Sequence, residues 1–339
     1  MSRLFRAAAV LAALIFPTLA AVPAHADTVD LEAAKREGKV VWYTSLPIAL
    51  SQKLAALFEQ RSGIKVELFR SGGSAILRRF LQEKDAGRVL ADVLYTADPA
   101  ATAALAAKDT FVAFQPKNFD RIADVAKDPQ GRYYALRLNM ITLFVRTDLV
   151  PPADVPKSWS ALADARYKGK LVIADPSFTA VQVAVVATLA KKLGWGYYDK
   201  LRGNDTMVVP GNQQLADMLK RGERQIAAGG LDSYAFDLRR EGHKVASIVP
   251  TDGGFAVPGP IAVLKGSPNP HAAKALAEFL ISDEVQHIVV ADGAYSARTD
   301  LPPPEGEIAL KDLNLLAVDY DALEKDAPAV KRKFNEVFQ

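Results

Sequence analysis

The fold is decided between residues 39 and 98, which read KVVWYTSLPIALSQKLAALFEQRSGIKVELFRSGGSAILRRFLQEKDAGRVLADVLYTAD. Three short apolar stretches, Lys39–Tyr43, Ile64–Phe69 and Asp92–Tyr95, have the β-branched and aromatic residues that are typical of strands. The stretches between them have helical patterns and begin after Ser, Thr or Gly turns. Strands that alternate with helices predict an α/β fold with a parallel, doubly wound sheet, which binds ligands at the carboxyl ends of its strands.

The same alternation continues to the end of the chain. Further strands are expected at residues 135–145, 170–174, 206–209, 225–229, 245–249 and 261–264. Further helices are expected at residues 180–193, 215–221 and 271–281, followed by a charged tail helix at 326–338 with Pro328 in its first turn. The pattern predicts two similar α/β lobes.

The chain is expected to cross between these lobes twice, near residues 137–141 and again near 249–261. Two connections between two lobes form a hinge beside one cleft. The predicted limits are 27–136 with 262–302 for the first lobe, and 137–261 with 303–339 for the second.

Residues 1–26 have the pattern of a cleavable signal peptide. Arg3 and Arg6 form a positive start, Ala7–Phe16 is an apolar run, and Ala24-His25-Ala26 matches a cleavage site. Pro17 interrupts a run that is already shorter than the ~20 residues a membrane span needs. The mature chain is therefore expected to be exported as a free, soluble protein, to the periplasm in a bacterium with two membranes.

Composition excludes several classes of function. The chain has 339 residues, half of them hydrophobic, and no cysteine, which excludes thiol catalysis, disulfides and Cys-ligated metals. The formal charge of +3 falls to +1 without the two arginines of the signal segment, so no nucleic-acid partner is expected. With no sign of a partner subunit or a cofactor, the protein is expected to be a monomer without a cofactor.

Three turns share a pattern that favours anion binding. They are Ser71-Gly72-Gly73-Ser74, Ser177-Phe178-Thr179 and Gly211-Asn212-Gln213, and each follows a predicted strand and opens a helix. The start of a helix presents unpaired backbone N–H groups and a partial positive charge, which suit an anion. The same residue types are also the preferred helix N-caps, so plain capping remains an alternative.

Single residues near other strand ends complete the candidate site. Arg70 would clamp an anion or face solvent, and Arg137 and Asn139 would be hinge residues or ligand contacts. Tyr234 would face the cleft or pack within the second lobe. The candidate ligand-binding residues outside the three turns are Ser45, Arg70, Ala97, Asn139, Asp232 and Tyr234.

Motifs that would indicate an enzyme are absent from the sequence. It contains no G-x-S-x-G, no Walker P-loop, no G-x-G-x-x-G and no H-E-x-x-H. His243, His271 and His287 have no metal-ligand spacing and are expected at the surface. An exported hydrolase therefore has no residue in its favour, and we expect a binding protein without catalytic or metal-ligating residues.

Several motifs, in this order, resemble the extracellular solute-binding proteins of bacterial ABC importers. The similarity is to the branch that contains ferric-iron-binding proteins and relatives that take phosphorylated or phosphonate solutes. The matching stretches are Val40–Ser45, Gly72–Ser74, Ala91–Thr96, Asp175–Ser177, Arg221–Glu223 and Ser267–Ala273. The resemblance implies a type II periplasmic-binding fold that closes like a Venus flytrap and delivers its solute to a membrane permease.

The iron ligands of that branch are missing at the matching positions. Pro47 and Ile48 stand where the relatives have a His, Ala97 stands at the position of a Glu, and Tyr234 lacks an adjacent Tyr. The pairs Tyr133-Tyr134 and Tyr197-Tyr198 lie elsewhere and are expected in loops or on helix surfaces. We therefore expect an organic or phosphorylated anion as the solute.

Two other solute classes remain as alternatives. Asp98 and Asp232 would supply oxygen ligands if the protein bound ferric iron. The same carboxylates, with Trp42 or Tyr234 as an aromatic face, would suit a cationic or neutral solute.

Overall fold

The computed structural model describes residues 27–339, so the predicted signal peptide lies outside the described residues. The strands are β1 Lys39–Thr44, β2 Lys65–Arg70, β3 Val93–Tyr95, β4 Tyr134–Arg146, β5 Leu171–Ala174, β6 Met207–Val209, β7 Ile226–Leu231, β8 Val245–Ile248, β9 Phe255–Val263 and β10 Tyr295–Ser296. The helices are α1 Leu31–Glu37, α2 Ile48–Ser62, α3 Gly73–Asp85, α4 Pro99–Ala107, α5 Ala180–Leu193, α6 Trp195–Gly203, α7 Asn212–Arg221, α8 Asp232–Arg240, α9 Pro270–Leu280, α10 Asp283–Ala291 and α11 Tyr320–Phe338.

The strands form one continuous mixed sheet in the order β2-β1-β3-β9-β4-β7-β5-β6, with β8 and β10 also paired to β4. The predicted parallel pairing is found on both flanks, where β1 pairs with β2 and β3, and β5 pairs with β6 and β7. The middle differs, because β4 and β9 run antiparallel along most of their length. The α/β class is confirmed, and antiparallel pairings of β3 with β9, β9 with β4 and β4 with β7 join the two parallel flanks.

The boundary between two apolar cores runs across these two central strands. On β4 Met140 belongs to the first core and Ile141 to the second, and on β9 Val257 belongs to the second core and Ile261 to the first. We call the parts of the molecule around these cores the first and second lobes. The strands β4 and β9 therefore connect the lobes, and the chain crosses once more between Leu315, which packs against the first core, and Leu316, which packs against the second.

The return segment and the tail differ in detail from the sequence expectation. The return is itself a strand, since β9 begins at Phe255 rather than near residue 261. Residues 303–339 do not belong wholly to the second lobe, because Leu310 and Leu313 pack against the first core before α11 joins the second.

The tail helix is also longer than expected. It begins at Tyr320 after Asp319, whose side chain accepts a hydrogen bond from the Ala322 N–H, so Pro328 lies inside the helix. Proline there lacks the N–H that would continue the hydrogen-bond ladder. Burial of an apolar face that includes Phe334 offsets this loss.

The adjacent tyrosine pairs are mostly buried, which corrects the expectation of surface packing. Tyr134 lies on β4 in the first core, and Tyr197 and Tyr198 lie on α6 in the second. Two adjacent residues on a helix usually point to different sides, so a pair such as Tyr197-Tyr198 does not look buried in the sequence. Here the Tyr198 ring packs against both Tyr197 and Phe334 of α11.

The helices were also compared with what a membrane span requires. Across residues 27–339, no helix has the length and apolar character needed to cross a membrane.

Candidate functional site

A cavity of about 260 Å³ lies between the two lobes at the start of three helices. Helix α3 of the first lobe and helices α5 and α7 of the second all begin on its wall. Of the residues proposed from sequence, those on the wall are Ser45, Arg70, Ser71, Gly72, Gly73, Ala97, Asn139, Phe178, Thr179, Asn212, Gln213 and Tyr234. The tertiary structure thus brings together residues that are far apart in the chain, and their role in binding remains a prediction.

The three helix starts have no side-chain caps. Gly72, Thr179 and Gly211 occupy the N-cap positions of α3, α5 and α7, and none accepts a capping hydrogen bond through a side chain. The Thr179 hydroxyl donates instead to the Pro210 carbonyl at 3.0 Å, and Asn212 Oδ1 accepts from the Leu231 N–H at 3.1 Å. Plain capping therefore does not explain these turns, and their positive helix ends are directed at the cavity.

Small residues let the two lobes meet over this cavity. A Cβ atom on Gly73 would lie 3.0 Å from the Ala180 Cβ of α5, which is closer than side chains normally approach. Residues of both lobes therefore enclose the site, as expected for a closed flytrap conformation.

Arg70 is held on the cavity wall by a hydrogen bond to the backbone of the first lobe. It ends β2, and its Nε donates a hydrogen bond of 2.9 Å to the Leu46 carbonyl. This bond directs the guanidinium towards the cavity rather than into solvent. Burial raises the pKa of the Tyr234 hydroxyl, and the positive charges of Arg70 and Arg137 act against that rise.

Two hydroxyl groups on the wall are buried without a hydrogen-bond partner among residues 27–339. They are the Ser45 Oγ and the Tyr95 hydroxyl. Buried polar groups are normally hydrogen-bonded, so two unpaired hydroxyls on one cavity indicate a place for a polar ligand. Burial also raises the pKa of Tyr95, which keeps its phenol neutral and able to donate.

Asn139 connects the cavity to the hinge strands. Its Nδ2 donates to the Val257 carbonyl at 2.9 Å, across the β4–β9 pair, and its Oδ1 accepts from Arg137 Nε at 3.2 Å. The sequence left open whether Asn139 is a hinge residue or a ligand contact. In the structure it bridges the two central strands and also lines the cavity.

Three proposed site residues lie off the cavity wall. Ser74 is buried in the first turn of α3, and the Ser177 hydroxyl accepts a 3.3 Å hydrogen bond from Asn335 on α11. Asp232 is buried and accepts a hydrogen bond from the Ser247 hydroxyl. Asp232 precedes Tyr234 by two residues on α8, so the ~100° helical step per residue points their side chains to different sides.

The apolar part of the wall and one of its phenols were not predicted from the sequence. The unpredicted wall residues are Leu46, Pro47, Ile48, Ala75, Tyr95, Ala180, Val181, Pro210, Gln214 and Leu231. Most of them carry no polar signal that a sequence pattern could show. Tyr95 was detectable, because it ends a predicted strand at the edge of the sheet where the ligand was expected.

The charge of the wall is one-sided. Its residues include one arginine and, among the described residues, no Asp, Glu or His. Asp98, which the sequence offered as an oxygen ligand, caps α4 by accepting the Ala101 N–H at 3.0 Å, and burial raises its pKa. Asp98 and Asp232 therefore make structural hydrogen bonds and do not line the cavity.

This donor set is poor for a metal ion. Within residues 27–339 no group of three or more His, Cys, Asp or Glu residues is placed to hold one. Tyr95 and Tyr234 are the phenols on the wall, and no carboxylate accompanies them. The arrangement is better suited to an anion or a hydroxylated molecule than to a hard cation.

Two α/β lobes, joined by two strands and closed over a polar cavity, define a solute-binding protein of the periplasmic type. Residues 89–326 match the bacterial extracellular solute-binding protein family, and the chain belongs to that family. It is 27% identical over 259 residues to a putative 2-aminoethylphosphonate-binding periplasmic protein of Salmonella typhimurium, which covers 73% of this chain and 74% of the relative.

Solved structures of similar proteins have the same fold. The periplasmic binding protein AfuA of Actinobacillus pleuropneumoniae, with fructose-6-phosphate bound, has a TM-score of 0.77 at 24% identity and covers 88% of this chain and 97% of its own. Iron-bound HitA of Pseudomonas aeruginosa has a TM-score of 0.76 at 19% identity, over 87% and 99% of the two chains. At these identities the likeness confirms the fold and leaves the solute open.

Proposed function

We propose that this protein is the solute-binding component of an ABC importer and that it captures a small organic anion, phosphorylated or phosphonate-bearing, between its lobes. The observation that carries the proposal is the wall of the cavity, where three uncapped helix starts and Arg70 face a space without a carboxylate. Helix starts and a guanidinium both favour a phosphate-like or carboxylate group, and the guanidinium can bind it through two hydrogen bonds.

Relatives support this class of solute without naming one for this chain. One is described as a putative 2-aminoethylphosphonate-binding protein, and the structure of another contains fructose-6-phosphate. The two ligands share a phosphorus oxyanion, which is the group that the helix starts and Arg70 would hold.

The remaining parts of the proposal follow from the class of protein. The mature protein would work in the periplasm as a monomer and would pass its solute to the transmembrane subunits of a permease. It would bind without catalysing a reaction. A dissociation constant between micromolar and nanomolar corresponds to about −8 to −12 kcal/mol, which a few charge-assisted hydrogen bonds of ~1.5–3 kcal/mol each can supply.

Native mass spectrometry of the mature protein, isolated gently from the periplasm, tests the proposal. We expect a retained organic anion, identified by fragmentation, or, for protein that emerges empty, binding of phosphorylated anions in a calorimetric panel. Retained ferric iron, a retained cation or neutral solute, or a panel in which no anion binds would overturn it.

A further inference from the structure

Arg137 on β4 is a buried guanidinium that lacks an ion-pair partner. The residue is 1% exposed. Its Nε donates to Asn139 Oδ1 at 3.2 Å and its Nη2 to the Ser233 hydroxyl at 3.4 Å, both of which are neutral groups. Its Nη1 has no hydrogen-bond partner within residues 27–339, and no carboxylate of that part of the chain lies within salt-bridge distance. The side chains that hydrogen-bond this buried positive charge are thus both neutral.

The nearest acids are occupied elsewhere. Arg137 acts on Asp232, Asp237 and Asp292 from a distance, and burial raises the pKa of all three. Asp232 accepts the Ser247 hydroxyl, and Asp237 pairs with Arg240 at 3.3 Å. These carboxylates interact with the charge of Arg137 electrostatically, but none of them forms a salt bridge with it.

The guanidinium lies directly behind the cavity wall. Asn139 contacts the guanidinium and also lines the cavity. The charge of Arg137 acts on the phenols of Tyr95 and Tyr234, which lie on the same wall. Buried charges are normally paired, and in a low-dielectric interior an unpaired charge acts over several ångströms. An anion in the cavity would supply the missing negative charge.

The other polar groups on the wall indicate which groups the organic part of such a solute carries. It carries four carboxamides, Asn139, Asn212, Gln213 and Gln214, and two phenols, which pair well with hydroxyl groups. No carboxylate of the described wall would receive an ammonium group.

We propose that Arg137 is a positioning residue that gives the site its second positive charge, so that the preferred solute is a doubly charged phosphate monoester with a hydroxylated organic part and no ammonium group. This inference rests on the proposed function and specifies its solute class. Arg137 acts through Asn139 and through its field, while Arg70 touches the anion.

Calorimetry with matched ligand pairs tests the solute class. Fructose 6-phosphate against fructose isolates the phosphate, and 2-aminoethylphosphonate against ethylphosphonate isolates the ammonium group. We expect fructose 6-phosphate to bind at least about tenfold more tightly than the other three, a difference of about 1.4 kcal/mol. Tighter binding of 2-aminoethylphosphonate than of fructose 6-phosphate would overturn this inference and leave the proposed function intact, whereas no binding of any anion would overturn both.

Substitution of Arg137 tests its role, with buried Arg298 as the matched control. Arg298 is 4% exposed and is paired with Asp283 and Asp300, each at 2.6 Å. We expect R137M to keep the melting temperature of the ligand-free protein and to weaken fructose 6-phosphate binding by about tenfold or more. R298M should lower the melting temperature and leave the affinity unchanged.

R137K retains the charge and should recover most of the affinity, which a purely structural role of the guanidinium would not explain. If R137M does not fold, the comparison of R137K with R137Q carries the test. Unchanged affinity in the neutral variant, or equal losses for singly and doubly charged ligands, would overturn the role of Arg137.

Discussion

Gly72 of the first lobe lies in contact with the backbone of Phe178 in the second lobe. A Cβ atom at Gly72 would lie 2.7 Å from the Phe178 carbonyl oxygen. This is too close for a real contact, and a backbone oxygen cannot move aside as a flexible side chain can. Gly72 is also the N-cap of α3, and Phe178 directly precedes the N-cap of α5. The absence of one side chain thus lets two helix starts meet over the same cavity.

Gly72→Ala should weaken solute binding by about tenfold or more, because the added methyl group would prevent the lobes from closing. The backbone of Gly72 has φ −65° and ψ 148°, which alanine adopts freely, so the melting temperature of the ligand-free protein should not fall. Calorimetry measures the affinity, and small-angle scattering measures closure. Gly196→Ala on α6 has open space around its Cβ and is the control; equal affinities of the two variants would show that the contact does not control closure.

Arg70→Ala should weaken anion binding by about tenfold or more, because it removes charge-assisted hydrogen bonds to the solute. Arg88→Ala removes the same charge from an exposed position and is the control for long-range electrostatics. Isothermal titration at two salt concentrations distinguishes the effects. An Arg70 variant that matches the Arg88 variant would remove Arg70 from the site.

Loading with ferric citrate should leave the protein colourless, because the wall offers two phenols and no carboxylate or imidazole among the described residues. Visible absorption spectroscopy detects the charge-transfer band of a tyrosinate bound to iron. A band in the native protein that disappears in Tyr234→Phe would establish iron binding and would contradict the anion site.

Asp232 should make the fold less stable as the pH rises from about 4 to about 6. Burial is the largest cause that raises its pKa to about 6, so the folded protein holds the proton more tightly than the unfolded chain. The stabilisation is complete below the unfolded pKa and is lost as the pH rises through the folded pKa. The pKa difference corresponds to on the order of 3 kcal/mol.

Asp232→Asn cannot ionise and keeps an oxygen that can accept from Ser247. Its advantage in melting temperature over the native protein should grow between pH 4 and pH 7, as measured by calorimetric scans. A constant difference across that range would show that Asp232 titrates as it does in the unfolded chain.

Part of the candidate site follows from local sequence patterns and part does not. The turns at Gly72, Thr179 and Asn212 were predicted, because a strand followed by a small polar turn and a helix is a pattern within a few residues. Ser177 and Asp232 were predicted to be site residues but lie off the cavity wall, where they contact Asn335 and Ser247. A shift of one residue along the chain turns a side chain to another face, which a sequence pattern does not resolve.

Sequence alone predicted the alternation of strands and helices, the places where β4 and β9 pass between the two cores and the positions of the polar turns. These features depend on the spacing of apolar residues and on turn chemistry, which act between near neighbours. Only the tertiary structure decided that β4 and β9 pair antiparallel, that Gly72 meets Phe178, and that Arg137 is buried without an acid beside it. Those relationships join residues separated by about a hundred positions, and packing of the whole chain sets them.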